Sequence, residues 1–400
     1  MFSYLAFVLS TVAIILLTEG DALCIMMMIM PFANIFKSSA GAQSFFTYLI
    51  LLFVLWRFLK KQRVHRAFFF MIAFLIVYLS AQMSVSVNIL RTIKFVANLL
   101  FIYLAVEAID SDRVKKMCIC YILGITASSL VAVLNIIPNL SDYIGAKDIS
   151  IEYERVSRFA GMYADPNYYS INIIISLCLI VILNHKKEIS TILAIGLGCL
   201  LVMFSVLTLS KSAFLMLSLP LTFLLYSKAK TKKYFMFLFV LIICSIVAFE
   251  MFSGNIEVLN DILFRFDNAS DMASLTTGRS NIWLYYFNYL ISNPIALLFG
   301  KGFGAALLNS HAAHNTYIDL LYHLGIIGTA LMLLVMGKII YIKTSPTKLN
   351  LLNHSIWICI AVMYFFLSEL FYFDWPFHII IAIGISKMNM TQVKEEKNDS

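Results

Sequence analysis

The residues of this sequence that offer chemistry are a few cations and imidazoles lying between strongly apolar segments. His311 and His314 lie three residues apart, shortly before the apolar stretch 316–341. Arg279 precedes them and also lies before that stretch. An imidazole titrates near neutral pH and accepts protons from hydroxyl groups, so His314 is a candidate general base. A guanidinium binds phosphate oxygens through two parallel hydrogen bonds, so Arg279 is a candidate anion-binding group.

Two earlier polar stretches carry further candidates. Arg158 and Asn167 lie in one stretch, and Lys211 lies in a short polar turn between two apolar segments. The order Asp165-Pro166-Asn167 is also typical of a helix start, and that interpretation of Asn167 stays open. Lys211 has an alternative too, since a hairpin lysine extends along apolar surface toward water. Arg158 has no such alternative, and we predict that it binds an anion.

Arg265 is the remaining cation of the long segment that ends at His314. Loop arginines often pair with nearby carboxylates, and such surface pairs contribute little to stability. That alternative stays open for Arg265 and Arg279, with Asp267 and Asp271 as the available partners.

The two histidines have a predicted geometry. If a helix begins near Asn309 or Ser310, His311 and His314 are three residues apart and share one face at its outer end. His323 then points to the opposite face, and we expect it to be buried and hydrogen-bonded.

The elements that position these residues are predicted to be transmembrane helices. Soluble domains carry about 25% charged residues, whereas this chain has 13% charged and 61% hydrophobic residues. So few polar residues cannot cover a water-exposed surface, so lipid must surround most of the protein. The sequence therefore predicts an all-α polytopic membrane protein. The net charge of +8 comes from short basic runs between apolar segments, which indicates membrane topology and no nucleic-acid partner.

About twelve transmembrane helices are predicted, each of roughly 17–25 residues. The twelve segments are 2–18, 43–58, 67–83, 90–109, 117–137, 168–184, 189–208, 212–227, 234–252, 316–341, 352–368 and 371–387. Residues 23–36 are apolar but short and interrupted by Pro31, which favours a re-entrant or interfacial segment over a thirteenth span. Residues 1–390 are predicted to form a single membrane domain, and residues 391–400 a disordered cytoplasmic tail.

Orientation follows from the basic runs, which mark the cytoplasmic side. The two long loops, about 138–167 and 253–315, then lie outside, and the larger one precedes the tenth helix. Within it, residues 281–299 predict an amphipathic helix at the outer interface. The seven cysteines lie almost wholly in apolar stretches and are assigned to packing. No outward aspartate pair has metal-ligand spacing, so no metal and no cofactor are predicted.

A specific resemblance rests on His314-Asn315, nine intervening residues, Gly325, two residues and Gly328. This pattern resembles the signature of the O-antigen ligase/polymerase superfamily. The Arg-Phe…Asn element at Arg158, the Thr-x-Ser-basic turn at Lys211 and the Gly-Arg…Trp element at Arg279 resemble the same superfamily in the same order. The turn departs from the pattern, because the family often has Arg where this chain has Lys211. Gly325 and Gly328 are expected to let a neighbouring segment approach closely.

The resemblance implies a metal-independent, GT-C-like glycosyltransferase in the bacterial cytoplasmic (inner) membrane, with its active site on the extracytoplasmic face. Its substrates would be polyprenyl-diphosphate-linked oligosaccharides, and its partners a flippase and chain-length regulator proteins in the lipid bilayer. His314, Arg279 and Arg158 would be catalytic. The substrate-binding residues would be Lys211, Asn167, Asn315, Arg265 and His311.

Three functions remain open. We favour a polymerase that joins repeat units of O-antigen, capsule or exopolysaccharide. An O-antigen ligase, which moves the finished chain to lipid A core or another acceptor, is the alternative. A polysaccharide flippase or other transporter is the second alternative, although transporters gather charges near the middle of the membrane.

Overall fold

The computed structural model describes residues 2–37, 44–60, 65–86, 89–134, 136, 159–163, 165–227, 278–308, 311–343, 351–368 and 374–398. Every regular element in these ranges is a helix, which confirms the predicted all-α class. The predicted span 234–252 lies outside the described residues, and so do Arg158, Arg265, Asp267 and Asp271.

The α-helices are numbered in chain order. They are α1 Phe2–Leu16, α2 Glu19–Ile29, α3 Phe46–Leu59, α4 Arg66–Ser86, α5 Ile89–Ala108, α6 Ser111–Val133, α7 Pro166–His185, α8 Thr191–Leu207, α9 Lys211–Met216, α10 Ser218–Ser227, α11 Arg279–Ser292, α12 Pro294–Phe299, α13 Thr316–Lys343, α14 Leu351–Phe366 and α15 Trp375–Asn398. A 3₁₀ segment, Met30–Phe36, continues α2.

Among the described residues, five helical segments are long and apolar enough to cross a membrane, by length and composition. They are Glu19–Phe36, Ile89–Ala108, Asp112–Val133, Pro166–His185 and Thr316–Tyr341. Several shorter apolar helices accompany them, and α1 shows how their surfaces are built. Leu5, Val8, Leu9 and Val12 form one helical stripe, and each is about half exposed. A continuous apolar stripe of this kind suits contact with lipid hydrocarbon.

The segment around Pro31 is longer than the sequence suggested. Thr18 caps α2, so the helix begins at Glu19, and the segment reaches 18 residues with the 3₁₀ turn. Pro31 lies near the start of the 3₁₀ segment, where its missing N–H leaves no hydrogen bond unmade. The predicted short, interrupted segment is therefore a continuous helical segment that is long enough to be a span.

Two other boundaries differ from the prediction. The span predicted over 212–227 is two helices that meet at Leu217, because the ring of Pro220 is incompatible with a continuous helix through the preceding turn. Helix α15 extends beyond the predicted span 371–387 and ends at Asn398. Its last turns are rich in Gln, Lys and Glu, which favour helix.

The chain divides into two compact units, and each is assembled from three stretches of chain. The first unit comprises Met1–Leu49, Ile109–Arg265 and Lys348–Ile360. The second comprises Ile50–Ala108, Phe266–Thr347 and Ala361–Ser400. Because the stretches alternate along the chain, no linker in the sequence marks the division.

Polar side chains join helices inside the first unit. The Tyr121 hydroxyl on α6 donates to Asn172 Oδ1 on α7 at 2.6 Å, and the hydroxyls of Ser129 and Tyr169 form a second bond between the same helices. All four side chains are fully buried. Lipid tails are as apolar as the helix surfaces, so the hydrophobic effect does not drive helices together in a membrane. Buried hydrogen bonds of this kind contribute to holding them together.

The second unit contains a broken helix. Helix α13 is interrupted at Gly325, where φ is 66° and ψ is −177°. The carbonyls of the preceding turn accept hydrogen bonds from a neighbouring loop, from Lys301 N to Tyr322 O at 2.7 Å and from Gly302 N to His323 O at 3.2 Å. The Tyr78 hydroxyl donates to Leu324 O at 2.7 Å. The groups freed by the break are thus satisfied by protein, as a membrane-embedded backbone requires.

Candidate active site

Asn167 begins a helix in the first unit, as predicted. The Asp165 carboxylate accepts a hydrogen bond from Asn167 N at 2.7 Å, and Pro166 occupies the first helical position of α7. The Asn167 side chain has a second connection, because Ser210 Oγ donates to its Oδ1 at 2.7 Å. The structure therefore brings Asn167 to the polar turn that precedes Lys211.

This polar turn has an unusual backbone. Leu209 has a φ of 48°, which a residue with a Cβ adopts at a cost of about 1–3 kcal/mol. Ser210 then caps α9, and Lys211 is the first residue of that helix. Thr208 and Ser210 are fully buried, whereas Lys211 is only partly buried. The strained turn therefore leads from two buried polar residues to a lysine that is partly exposed.

The segment that follows Arg158 packs against the same turn. Phe159 N donates to Leu207 O at 3.1 Å, and the Phe159 ring lies 5.9 Å from the ring of Phe204 and 5.5 Å from that of Tyr169. Phe159 is thus anchored beside the turn and beside α7. In the first unit, residue 159, Asn167 and Lys211 belong to one packed group.

Arg279 is the first residue of α11 in the second unit. Its Nη1 donates to Phe366 O at 2.8 Å, and the side chain is half buried. This bond fixes one edge of the guanidinium to the end of α14. A planar guanidinium held in this way is preorganised to bind a further acceptor.

The predicted helix start near Asn309 or Ser310 is wrong, because α13 begins at Thr316. Asn315 is the cap: its Oδ1 accepts hydrogen bonds from Tyr317 N at 3.0 Å and Ile318 N at 3.1 Å. Asparagine is among the best residues for this position, which explains the later start. His311 and His314 therefore lie in the loop before the helix and share no helical face.

Helix α11 holds this loop. Trp283 Nε1 donates to Ala313 O at 2.8 Å. The Tyr286 hydroxyl donates to His311 O at 2.7 Å and accepts from Leu308 N at 3.2 Å. Burial raises the pKa of Tyr286 to about 12, so the phenol stays protonated at physiological pH. The loop that carries both histidines is thereby fixed on the surface of α11.

Arg279 and His314 are connected through this helix. Arg279 and Trp283 are four residues apart and share one face of α11. Trp283 in turn contacts Ala313, the neighbour of His314. The candidate cation and the candidate base of the second unit thus share one rigid support.

The three histidines of this region differ in accessibility. His311 is exposed, and His314 is partly exposed with its Nδ1 buried. His314 has a φ of 48°, a conformation that is uncommon outside glycine and frequent at functional sites. His323 is fully buried, and its Nδ1 lies 3.1 Å from Gly302 O, which confirms its predicted structural role.

One contributor, Tyr286, was missed at the level of sequence. It ties the loop to α11, but an interior tyrosine of an apolar helix carries no local signal of that role. Across the described ranges, no group of three or more His, Cys, Asp or Glu residues is placed to hold a metal ion.

The apolar helices and the polar sites at their ends define a multi-pass membrane protein. Residues 196–333 match the family model described as O-Antigen ligase, and this range includes Lys211, Arg279 and His314. The match covers about a third of the chain and supports the resemblance to the O-antigen ligase/polymerase superfamily seen in its motifs. Members of this family are glycosyl-transfer enzymes in a general sense. No curated protein and no solved structure matches the chain.

Proposed function

We propose that this protein polymerises polyprenyl-diphosphate-linked oligosaccharide repeat units on the outer face of the bacterial cytoplasmic membrane. The observation that carries the proposal is the shared support of Arg279 and His314 by α11, through the bond from Trp283 to Ala313. A base and a phosphate-binding cation that are held by one rigid helix suit glycosyl transfer from a diphosphate.

The proposed reaction uses each group once. The acceptor hydroxyl of one repeat attacks the anomeric carbon of the chain carried by another lipid. The bond from that carbon to the diphosphate oxygen breaks, and the oxygen leaves with the electron pair. His314 takes the proton of the hydroxyl, and we assign this to Nε2 because Nδ1 is buried. Arg279 stabilises the negative charge that develops on the departing diphosphate.

Arg158, Lys211 and Arg265 are further candidate phosphate-binding cations in this proposal, because they carry positive charge on the predicted outer side. Asn167 positions the Lys211 turn through its bond to Ser210. Asn315 caps α13 and is buried, so we assign it to positioning His314, while exposed His311 is available to the sugar.

The proposal includes the membrane arrangement implied by the resemblance. About twelve GT-C-like transmembrane helices would place the active site outside, where a flippase delivers the lipid-linked repeats and a chain-length regulator ends polymerisation. The basic runs of the sequence support this orientation.

Ligation is the second candidate, and the matching family model is consistent with both reactions. A ligase would use the same base and cations but pass the finished chain to lipid A core or another acceptor. Transport is less well supported. Broken helices mark ion and substrate sites in transporters, but at the break in α13 the carbonyls of Tyr322, His323 and Leu324 accept hydrogen bonds from protein groups.

The test is the saccharide profile of a deletion strain complemented with wild type or with His314→Ala, beside a ligase-deficient control. Single repeats on the normal acceptor in the deletion strain establish a polymerase. Long chains stranded on the lipid carrier establish a ligase. An unchanged profile with His314→Ala, at equal membrane abundance of the protein, refutes the assignment of His314.

A further inference from the structure

Lys37 is a cation with no role in the site described so far. It directly follows the 3₁₀ segment Met30–Phe36 and has extended backbone. The predicted topology puts it outside, in the loop between the predicted spans 2–18 and 43–58. Lysines are depleted from short outer loops of membrane proteins, so a lysine in this position calls for an explanation.

Several contacts fix the position of Lys37. Ser3 Oγ donates to Lys37 O at 2.7 Å, and Lys37 N donates to Asn34 O at 3.2 Å. Asn34 Nδ2 donates to Met162 O at 2.7 Å, and Ile35 packs against the Met162 side chain. The N–H and the carbonyl of Lys37 are therefore both hydrogen-bonded, and the segment that precedes the lysine is held by tertiary contacts.

These contacts join Lys37 to the packed group of the first unit. Met162 belongs to the described segment 159–163, and Phe159 of that segment is bonded to Leu207 beside the polar turn. Tyr163 extends the connection, since its hydroxyl lies 3.3 Å from the sulfur of Met30. Lys37 and Lys211 thus stand on segments that pack against the same short stretch, the one that follows Arg158.

The ammonium of Lys37 is partly desolvated. The side chain is half buried, and in the part of the chain that the structure describes no carboxylate pairs with it. Burial lowers the pKa of Lys37, which is the effect of desolvating a cation that lacks an anion nearby. An anion that binds there interacts in a lower dielectric than water and therefore more strongly.

We propose that Lys37 is an additional phosphate-binding residue, which holds the diphosphate of the lipid-linked substrate together with Lys211. This inference rests on the proposed function, since it takes the substrate to be a polyprenyl diphosphate. A backbone held by hydrogen bonds, and a positive charge that no carboxylate of the described ranges pairs with, are the two properties that favour such binding.

Two kinds of molecule carry a phosphate that Lys37 could bind: the polyprenyl diphosphate and the headgroups of the surrounding phospholipids. The two are separated by reconstituting the purified protein in vesicles of phosphatidylcholine alone and in vesicles that also contain phosphatidylglycerol. A residue that binds substrate acts equally in both, whereas a residue that binds anionic headgroups acts only when phosphatidylglycerol is present.

The experiment measures binding of polyprenyl diphosphate itself and, in parallel, the KM for a lipid-linked repeat. We expect Lys37→Ala to raise both the Kd and the KM about tenfold, since a charge-assisted hydrogen bond is lost. Lys37→Arg should stay close to wild type. The matched control is Lys338→Ala, a half-buried lysine on the predicted cytoplasmic side that lies over the ring of Tyr341.

The outcomes separate the two hypotheses. An unchanged Kd in Lys37→Ala overturns the inference, and so does a change confined to phosphatidylglycerol vesicles or equal to that of Lys338→Ala. If wild type binds polyprenyl diphosphate in a manner that depends on Lys37 but transfers no sugar, the inference holds and the proposed function fails. If His314→Ala abolishes transfer while Lys37→Ala binds polyprenyl diphosphate normally, the proposed function holds and the inference about Lys37 fails.

Discussion

Replacement of Gly325 by alanine tests how the broken helix holds the site. With φ 66° and ψ −177°, Gly325 occupies a backbone region that is essentially restricted to glycine, and a side chain there costs about 1–3 kcal/mol. The added Cβ would overlap Gly300 N and lie 2.5 Å from Leu298 O. Both are backbone atoms, so no side-chain rotation relieves the clash.

Relief requires the loop around Gly300 to move. That movement breaks the hydrogen bonds from Lys301 N to Tyr322 O and from Gly302 N to His323 O, each worth about 1 kcal/mol. The combined cost of Gly325→Ala is therefore about 3 kcal/mol or more. Because this loop leads to His311 and His314, transfer activity should fall together with stability.

The assay is unfolding by SDS of the purified protein in lipid–detergent bicelles. Gly337→Ala on the same helix is the matched control, because a Cβ at Gly337 meets nothing within 4 Å. Alanine favours helix over glycine by about 1 kcal/mol, so the control should be neutral or slightly more stable. If Gly325→Ala unfolds at the same SDS fraction as wild type, the proposed role of the break is refuted.

Three further predictions concern the site. Arg279→Lys should retain the charge but lose the planar fork, and kcat in reconstituted vesicles should fall about tenfold or more; wild-type kcat would contradict bidentate binding. Tyr286→Phe removes the bonds to His311 O and Leu308 N, so kcat should fall while Tyr285→Phe, an exposed position, remains unchanged. Equal activity of the two variants would show that the loop needs no anchor. Asn167→Ala leaves the buried Ser210 hydroxyl without this acceptor and should cost about 1–3 kcal/mol in SDS unfolding; Asn167→Asp, which keeps the acceptor, should cost less.

The parts of the fold that depend on local chemistry were predictable from sequence. The helix start at Asp165-Pro166-Asn167 follows from capping preferences, and the structure confirms it. The break between α11 and α12 falls at Asn293-Pro294, inside the segment where an amphipathic helix was predicted. The start of α13 also depends on local residues. It was predicted wrongly because Asn309, Ser310 and Asn315 are all suitable helix caps, and Asn315 is the residue that caps the helix.

Features that depend on distant segments were not predictable. Gly325 was expected to allow close packing, which the structure confirms, but its left-handed backbone depends on donors from the loop at Lys301 and from Tyr78. The anchoring of the histidine loop depends on Tyr286, whose partners His311 and Leu308 lie 25 and 22 residues away in the sequence. Lys37 joins the packed group through distant contacts such as that of Asn34 with Met162. Periodicity and motifs contain no information on such pairings.

The most direct test of the central claim is the release of polyprenyl diphosphate by the purified protein given lipid-linked repeat units as both donor and acceptor. The account predicts that wild type releases one polyprenyl diphosphate for each glycosidic bond formed. It predicts that His314→Ala releases none while still binding the donor, because the base that takes the hydroxyl proton is absent. Wild-type release from His314→Ala, or bond formation without release, would contradict the account.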